Sequence, residues 1–144
     1  VKDVDPEDIN FSIKDLTLKK PFLVNIGNPH IIFFDDEIEK YDVESFGSLI
    51  ENDNLFPEKI NVSFAKLKSD NHIELNVWER GAGKTNACGT AACATAVAGV
   101  EMGVIKNKVT VTLPGGDLEI YYRSSDNIIM TGPTEINFTD KYKL

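Results

Sequence analysis

The chain has 144 residues, 42% of them hydrophobic and 9% aromatic, with 23 acidic against 15 basic side chains and a net charge of −8. That length fits one domain with one packed core, and the composition excludes a disordered segment. No stretch approaches the ~20 consecutive apolar residues of a membrane span, and the acidic start, Val1 to Asp8, does not read as a signal peptide.

The missing initial methionine suggests a piece of something longer. Charge is spread unevenly: residues 1–60 carry 14 acids and 6 bases, while residues 61–144 carry 9 of each. The acidic half would repel DNA and anionic lipid, so neither nucleic acid nor membrane is an expected partner. The neutral half is where an anionic small molecule would bind. Cys88 and Cys93 are too few for a disulfide framework. On one helix they would lie about 140° apart, a poor metal pair that only His30 and His72 could complete, so no metal is expected. They read as reduced thiols in a cytoplasm.

In chain order, Phe22 to Ile26 is an apolar strand closed by Gly27. Ile31 to Phe34 is a second, after the breaker Asn28-Pro29 and before the acidic turn Asp35-Asp36-Glu37. Asp42 to Asn52 places Val43, Phe46, Leu49 and Ile50 on one helical face, with Asp42 as N-cap. Residues 60–66 and 72–79 alternate as strands, the second half-buried. Thr90 to Met102 is a helix rich in alanine and other small residues, suited to burial inside a sheet-rich shell. Val109, Val111 and Leu113 lead through Pro114-Gly115-Gly116 to Leu118 and Ile120, a hairpin. Ile128 to Met130 and Ile136 to Phe138 give two more short strands. The class is α+β: one sheet-rich domain, residues 1–144, around a central helix (about 90–102) with a second, outer helix (about 42–52). Residues 1–20 read as an inter-domain linker and first strand.

The chemistry lies between Trp78 and Thr90. Gly83-Lys84-Thr85 looks like the end of a phosphate-binding loop, but the glycine that pattern needs five positions earlier is Trp78. The dinucleotide fingerprint fails too, because its third glycine would be Asn86. What remains is a strand, a glycine-rich turn, and Cys88-Gly89-Thr90 at the mouth of a helix. Unpaired N–H groups there can hold a carboxylate or phosphate, and the same field is expected to take the Cys88 thiol below its usual pKa. A thiolate beside a carboxylate cradle suits removal of a proton alpha to that carboxylate. Read without context, a lone cysteine is more often a small buried hydrophobe, and Cys93, deep among alanines, fits that description. Glu79 and Arg80 point to opposite faces at a strand end, and Asn28-Pro29-His30 and Asn61 are weak signals alone.

Taken together, these segments resemble the C-terminal half of the diaminopimelate epimerase family. Gly27-Asn28-Pro29-His30, Phe56 through Asn61, Glu79-Arg80-Gly81-Ala82-Gly83 through Thr85, Ala87-Cys88-Gly89-Thr90, Ala92-Cys93-Ala94 and Gly132-Pro133 occur in the family's order. The resemblance runs from about Pro21 to Phe138. It implies a barrel-like domain and a cofactor-independent racemisation in which one cysteine removes the alpha proton and another, from an absent N-terminal half, returns it to the opposite face. By that resemblance Cys88 is one acid/base, and the backbone of Cys88, Gly89 and Thr90 binds the reacting carboxylate. Glu79 holds the alpha-ammonium; Arg80, Asn28 and Asn61 recognise the distal end of diaminopimelate; His30 tunes the thiols. The partners the resemblance implies are this substrate, the missing half, against which a terminal strand at 136–144 would pack, and a second copy in a homodimer. Two positions depart from the family: Lys84 stands where a glutamate is usual, and Ala91 where a glycine is common. A proline racemase-like isomerase and a non-catalytic binding domain are the alternative readings, the first disfavoured by Glu79-Arg80 and Asn61.

Overall fold

The computed structural model describes residues 6–124, 127–136 and 138–141. The first five and last three residues, assigned to the linker and the terminal strand, lie outside them. After a 3-10 turn at Pro6–Asp8, β1 (Asn10–Ile13) and β2 (Leu16–Lys19) form an antiparallel hairpin. Ile9, Phe11 and Leu18 bury themselves in the core, so the segment read as a linker and one strand contributes two strands that pack.

The main sheet joins β3 (Phe22–Asn25), β4 (Pro29–Phe34), β5 (Asn61–Ser69), β6 (His72–Glu79), β7 (Gly83–Thr85), β8 (Lys108–Leu113), β9 (Gly116–Tyr121) and β10 (Ile129–Thr131). Its order is β10-β9-β8-β6-β5-β4-β3, with β7 paired to β6 beside the main path. The β4–β5 and β6–β8 pairs are parallel and the others antiparallel. Each parallel pair needs a crossover, and each crossover contains a helix: α1 (Val43–Glu51) in the first, α2 (Gly89–Glu101) in the second.

The helices pack on opposite faces of the sheet. Ile32, Ala65, Ile73, Leu75 and Val77 face α2, whereas Ile31, Phe33, Val62 and Phe64 face α1 and the β1–β2 hairpin. The alternation in residues 60–66 therefore separates two cores rather than core from solvent, and even Asn61 and Ser63 are buried. On α1, Asp42 caps the helix by accepting the Ser45 N–H at 3.0 Å. Val43, Phe46 and Ile50 are buried as expected, but Leu49 is 42% exposed, at the edge of that stripe. α2 is buried nearly all round, from Ala91 to Ala96 and again at Ala98 and Gly99. Its small side chains let the sheet curl around it as a half-barrel, the α+β barrel-like arrangement expected of this sequence.

One expected strand is not found among the described residues, and Asn137 in its middle lies outside them. Ile136 and Phe138 lie in no strand and are 84% and 83% exposed. The reason is local: Pro133, with no N–H to donate to a ladder, closely follows β10 and ends its pairing.

Candidate active site

The site is built where α2 begins. Cys88 is its N-cap, in extended conformation (φ −146°, ψ 103°), so its side chain sits at the helix mouth while its carbonyl accepts the first intrahelical bond, from Ala92 N–H at 3.1 Å. The N–H groups of Gly89 and Thr90 precede that bond, which leaves them free for an anion. Cys93 lies a turn inside the helix, buried among its alanines.

A hydrogen-bonded path joins β4 to the thiol. His30 Nε2 lies 3.0 Å from Asn28 Oδ1, Asn28 Nδ2 donates to Thr90 Oγ1 at 3.3 Å, and Thr90 Oγ1 lies 3.5 Å from Cys88 Sγ. Because Asn28 Oδ1 is an acceptor, Nε2 carries the imidazole proton and Nδ1 is a bare acceptor, buried with no partner. Burial, reinforced by the Arg80 charge, pushes the His30 pKa down to about 4, so the ring is neutral at pH 7. His30 thus reaches Cys88 through Asn28 and Thr90.

At the end of β6, Glu79 Oε1 accepts the Thr85 hydroxyl at 2.6 Å, across the β6–β7 pair. Glu79 also acts on Cys88, and here the sequence expectation needs correction. The Cys88 pKa is raised, not lowered. Burial is the largest cause and the Glu79 carboxylate adds to it; the Thr90 and Ala91 hydrogen bonds pull the other way without prevailing. A helix N-terminus stabilises a thiolate only as far as desolvation allows, and this sulfur is buried. Cys93 is raised as well, by burial and then by the proximity of Cys88.

Asn61 and Arg80 form the other wall. Asn61 Nδ2 donates to the Pro29 carbonyl at 2.9 Å and its Oδ1 accepts the Arg80 N–H at 3.0 Å. Its amide therefore splices the Asn28-Pro29-His30 turn to the Glu79-Arg80 turn. The exposed Arg80 donates from its guanidinium to the Glu58 carbonyl at 3.1 Å. Lys84 pairs with Trp78 in register and so shares the α1 side of the sheet, where its charge helps to depress the Asp42 pKa. A cavity of about 540 Å³ opens beside this wall between Leu23, Asn25, Pro29, His30 and the 56–60 loop. Cys88 does not line it, so the cavity adjoins the site without containing the thiol. Among the described residues no three His, Cys, Asp or Glu side chains come together as a metal site, and no helix is long and apolar enough to cross a membrane.

The structure thus brings together Cys88, Gly89, Thr90, Asn28, His30 and Glu79 at one end of the sheet, with Asn61 and Arg80 alongside. Sequence reasoning passed over Glu51. This residue is 4% exposed, yet its Oε2 accepts Trp78 Nε1 at 2.7 Å and its Oε1 accepts Gly81 N–H at 2.9 Å. An acid at the end of an otherwise apolar helix face, before a breaker, was the only signal available.

A half-barrel curled around a small-residue helix, with a cysteine at that helix's mouth, defines the class: an α+β barrel-like domain. The sequence model described as diaminopimelate epimerase matches residues 22–137, and the chain belongs to that family. It is 48% identical over 138 residues to a diaminopimelate epimerase of Methylocella silvestris, covering 94% of this chain and 48% of that protein. To the diaminopimelate epimerase of Erythrobacter litoralis it is 51% identical over 121 residues, 84% of this chain and 45% of the relative. The chain therefore spans about half the length of the curated relatives it matches. Among solved structures, a putative phenazine biosynthesis PhzC/PhzF protein from Clostridium difficile aligns with TM-score 0.50 at 20% identity, covering 72% of this chain and 38% of that one. That likeness concerns the fold.

Proposed function

We propose that this chain is the C-terminal half of a two-domain, PLP-independent amino-acid epimerase that interconverts LL- and meso-2,6-diaminopimelate. In that role it serves lysine and peptidoglycan precursor synthesis in the cytoplasm. The observation that carries the reading is Cys88 at the N-cap of α2, flanked by Thr90 and Glu79, in a chain of this family. The reacting carboxylate would sit on the free N–H groups of Gly89 and Thr90, and the alpha-ammonium on Glu79. Arg80 would meet the distal carboxylate with its planar fork. Asn28 and Asn61 would recognise the same end of the substrate, and His30, neutral and buried, would tune the thiol through Asn28 and Thr90.

The raised Cys88 pKa fits this scheme. With no substrate bound, burial and Glu79 keep Cys88 as a thiol, ready to donate a proton to the alpha carbon while a base in the other half removes one from the opposite face. The thiolate left by that donation is the base of the reverse direction, and the substrate ammonium on Glu79, present in both directions, removes one of the causes that disfavour it. The N-terminal half would pack against Ile129, Met130, Ile136 and Phe138, the apolar residues exposed around β10.

The test is exchange of the substrate's alpha proton into deuterated solvent, followed by mass in the full-length protein. Diaminopimelate should exchange and proline should not, and Cys88→Ala should abolish the exchange. Undiminished exchange by Cys88→Ala would sink the assignment.

A further inference from the structure

We propose that Glu51 is a positioning residue of the site, clamping the turn that carries Glu79 and Arg80. The inference rests on the function proposed above for those two residues. Glu51 accepts one hydrogen bond from Trp78, immediately before the pair, and one from Gly81, immediately after it (2.7 and 2.9 Å). The two bonds bracket the residues assigned to the substrate's ammonium and distal carboxylate. A third partner, Lys59 Nζ, lies 3.5 Å from Glu51 Oε1 and belongs to the loop whose Glu58 carbonyl receives the Arg80 guanidinium. Lys59 holds a left-handed backbone conformation (φ 60°), and its own N–H donates to the Phe56 carbonyl at 2.7 Å. One carboxylate thus fixes both flanks of the turn and the loop that receives Arg80.

Helix stability does not explain this carboxylate. Glu51 is the last residue of α1, where the macrodipole disfavours an anion, and it is buried there. Burial alone would push its carboxyl up; the Trp78 and Gly81 bonds and the Lys59 charge overcome that and hold it below the usual carboxylate range. The turn closes on one backbone bond of its own, from Ala82 N–H to the Glu79 carbonyl at 3.0 Å, and Glu51 adds support from outside it. Gly81 and Gly83 both adopt positive φ (77° and 88°), and Arg80, Gly81 and Ala82 are exposed. The Trp78 indole, wedged against Gly47, gives the clamp a rigid arm.

The experiment compares Glu51→Gln and Trp78→Phe with the parent in the full-length epimerase. Its readouts are amide exchange across residues 79–83, the Trp78 indole N–H resonance, and KM against kcat for diaminopimelate. Glu51→Gln should speed exchange in the turn about tenfold, the scale of one lost charge-assisted hydrogen bond, and move the indole resonance. It should raise KM about tenfold with a smaller change in kcat, since the binding groups loosen while the thiol stays in place. Trp78→Phe, which leaves the Gly81 bond, should show the same pattern more weakly, and it carries the test if Glu51→Gln fails to fold. Unchanged exchange, or a loosened turn with kcat/KM within about twofold of the parent, would overturn the proposal. If the parent does not turn over diaminopimelate, the functional reading fails, while exchange and the indole resonance still decide whether Glu51 holds the turn.

Discussion

Two residues at the site pay for their burial in ways that solution measurements can read. His30 is buried and neutral, its pKa lowered to about 4 against an ordinary 6.5. Above pH 6.5 the ring is neutral whether the chain is folded or not, and it contributes no pH dependence. Between 6.5 and 4 the unfolded chain gains a proton that the folded chain refuses, so stability falls as pH falls through that window. The loss should reach on the order of 2–3 kcal/mol by pH 4.5, and His30→Asn should flatten the slope, as urea unfolding at a series of pH values would record. Cys88 responds in the other direction. With its thiol pushed up by burial and by Glu79, alkylation by iodoacetamide at pH 8 should be slower than for a free thiol and rise with pH. Glu79→Gln should accelerate it. Cys93 is also raised by burial, and it lies inside the helix rather than at its mouth, so peptide mapping should find Cys88 modified first. Preferential labelling of Cys93 would remove Cys88 from its proposed role.

At the scale of elements, the contact between α1 and β6 is the least forgiving. A Cβ on Gly47 would come within 2.4 to 2.7 Å of Trp78 side-chain carbons, and Trp78 cannot retreat because Glu51 holds its indole. Gly47→Ala gains about 1 kcal/mol of helix propensity. It must also overpack a fixed contact, at a typical cost of 1–3 kcal/mol and toward the upper end here, for a net loss of roughly 1–2 kcal/mol. A lowered urea midpoint with an altered Trp78 emission spectrum would show it; a stabilised variant would mean that α1 can slide. Elements with a strong period or a cap were legible in the sequence. Asp42 announced α1, the alanine run announced α2, and the valines and isoleucines of β5, β6 and β8 announced strands, because each signal is local. What escaped depended on partners. Gly83–Thr85 is a strand only because β6 lies beside it, and the β1–β2 hairpin is ordered by a core assembled from residues as distant as Phe56 and Phe64. The site was legible in part for the same reason. The motif around Cys88 is contiguous, whereas the direction of its pKa shift depends on how deeply the fold buries the sulfur, and the role of Glu51 depends on residues 27 and 30 positions away.

At the scale of the whole molecule, the isolated chain should bind weakly and fail to epimerise. Inverting a stereocentre without a cofactor needs an acid and a base on opposite faces of one carbon, each within about 3 Å of the proton it moves. Among the described residues, Cys88 is the one group with the position for that work. Cys93 is sealed inside α2, and His30 reaches the thiol only through Asn28 and Thr90. The site is also open on the side of α2's mouth, where Gly89, Thr90 and Arg80 are not buried, so none of the described residues closes that side against water. Exposed apolar residues lie next to that opening, and Met130 stands close enough to Gly89 that an added Cβ would meet its sulfur at 3.0 Å. A partner seated on β10 would therefore also roof the anion cradle. Mixing purified residues 1–144 with the N-terminal half of a relative such as the Methylocella silvestris enzyme should restore turnover. Ile136→Asp with Phe138→Asp should weaken that rescue at least tenfold in half-concentration while leaving the folding of this chain unchanged, because neither side chain packs on its core. Turnover by residues 1–144 alone would refute the two-half site, and rescue indifferent to the double substitution would move the docking face elsewhere.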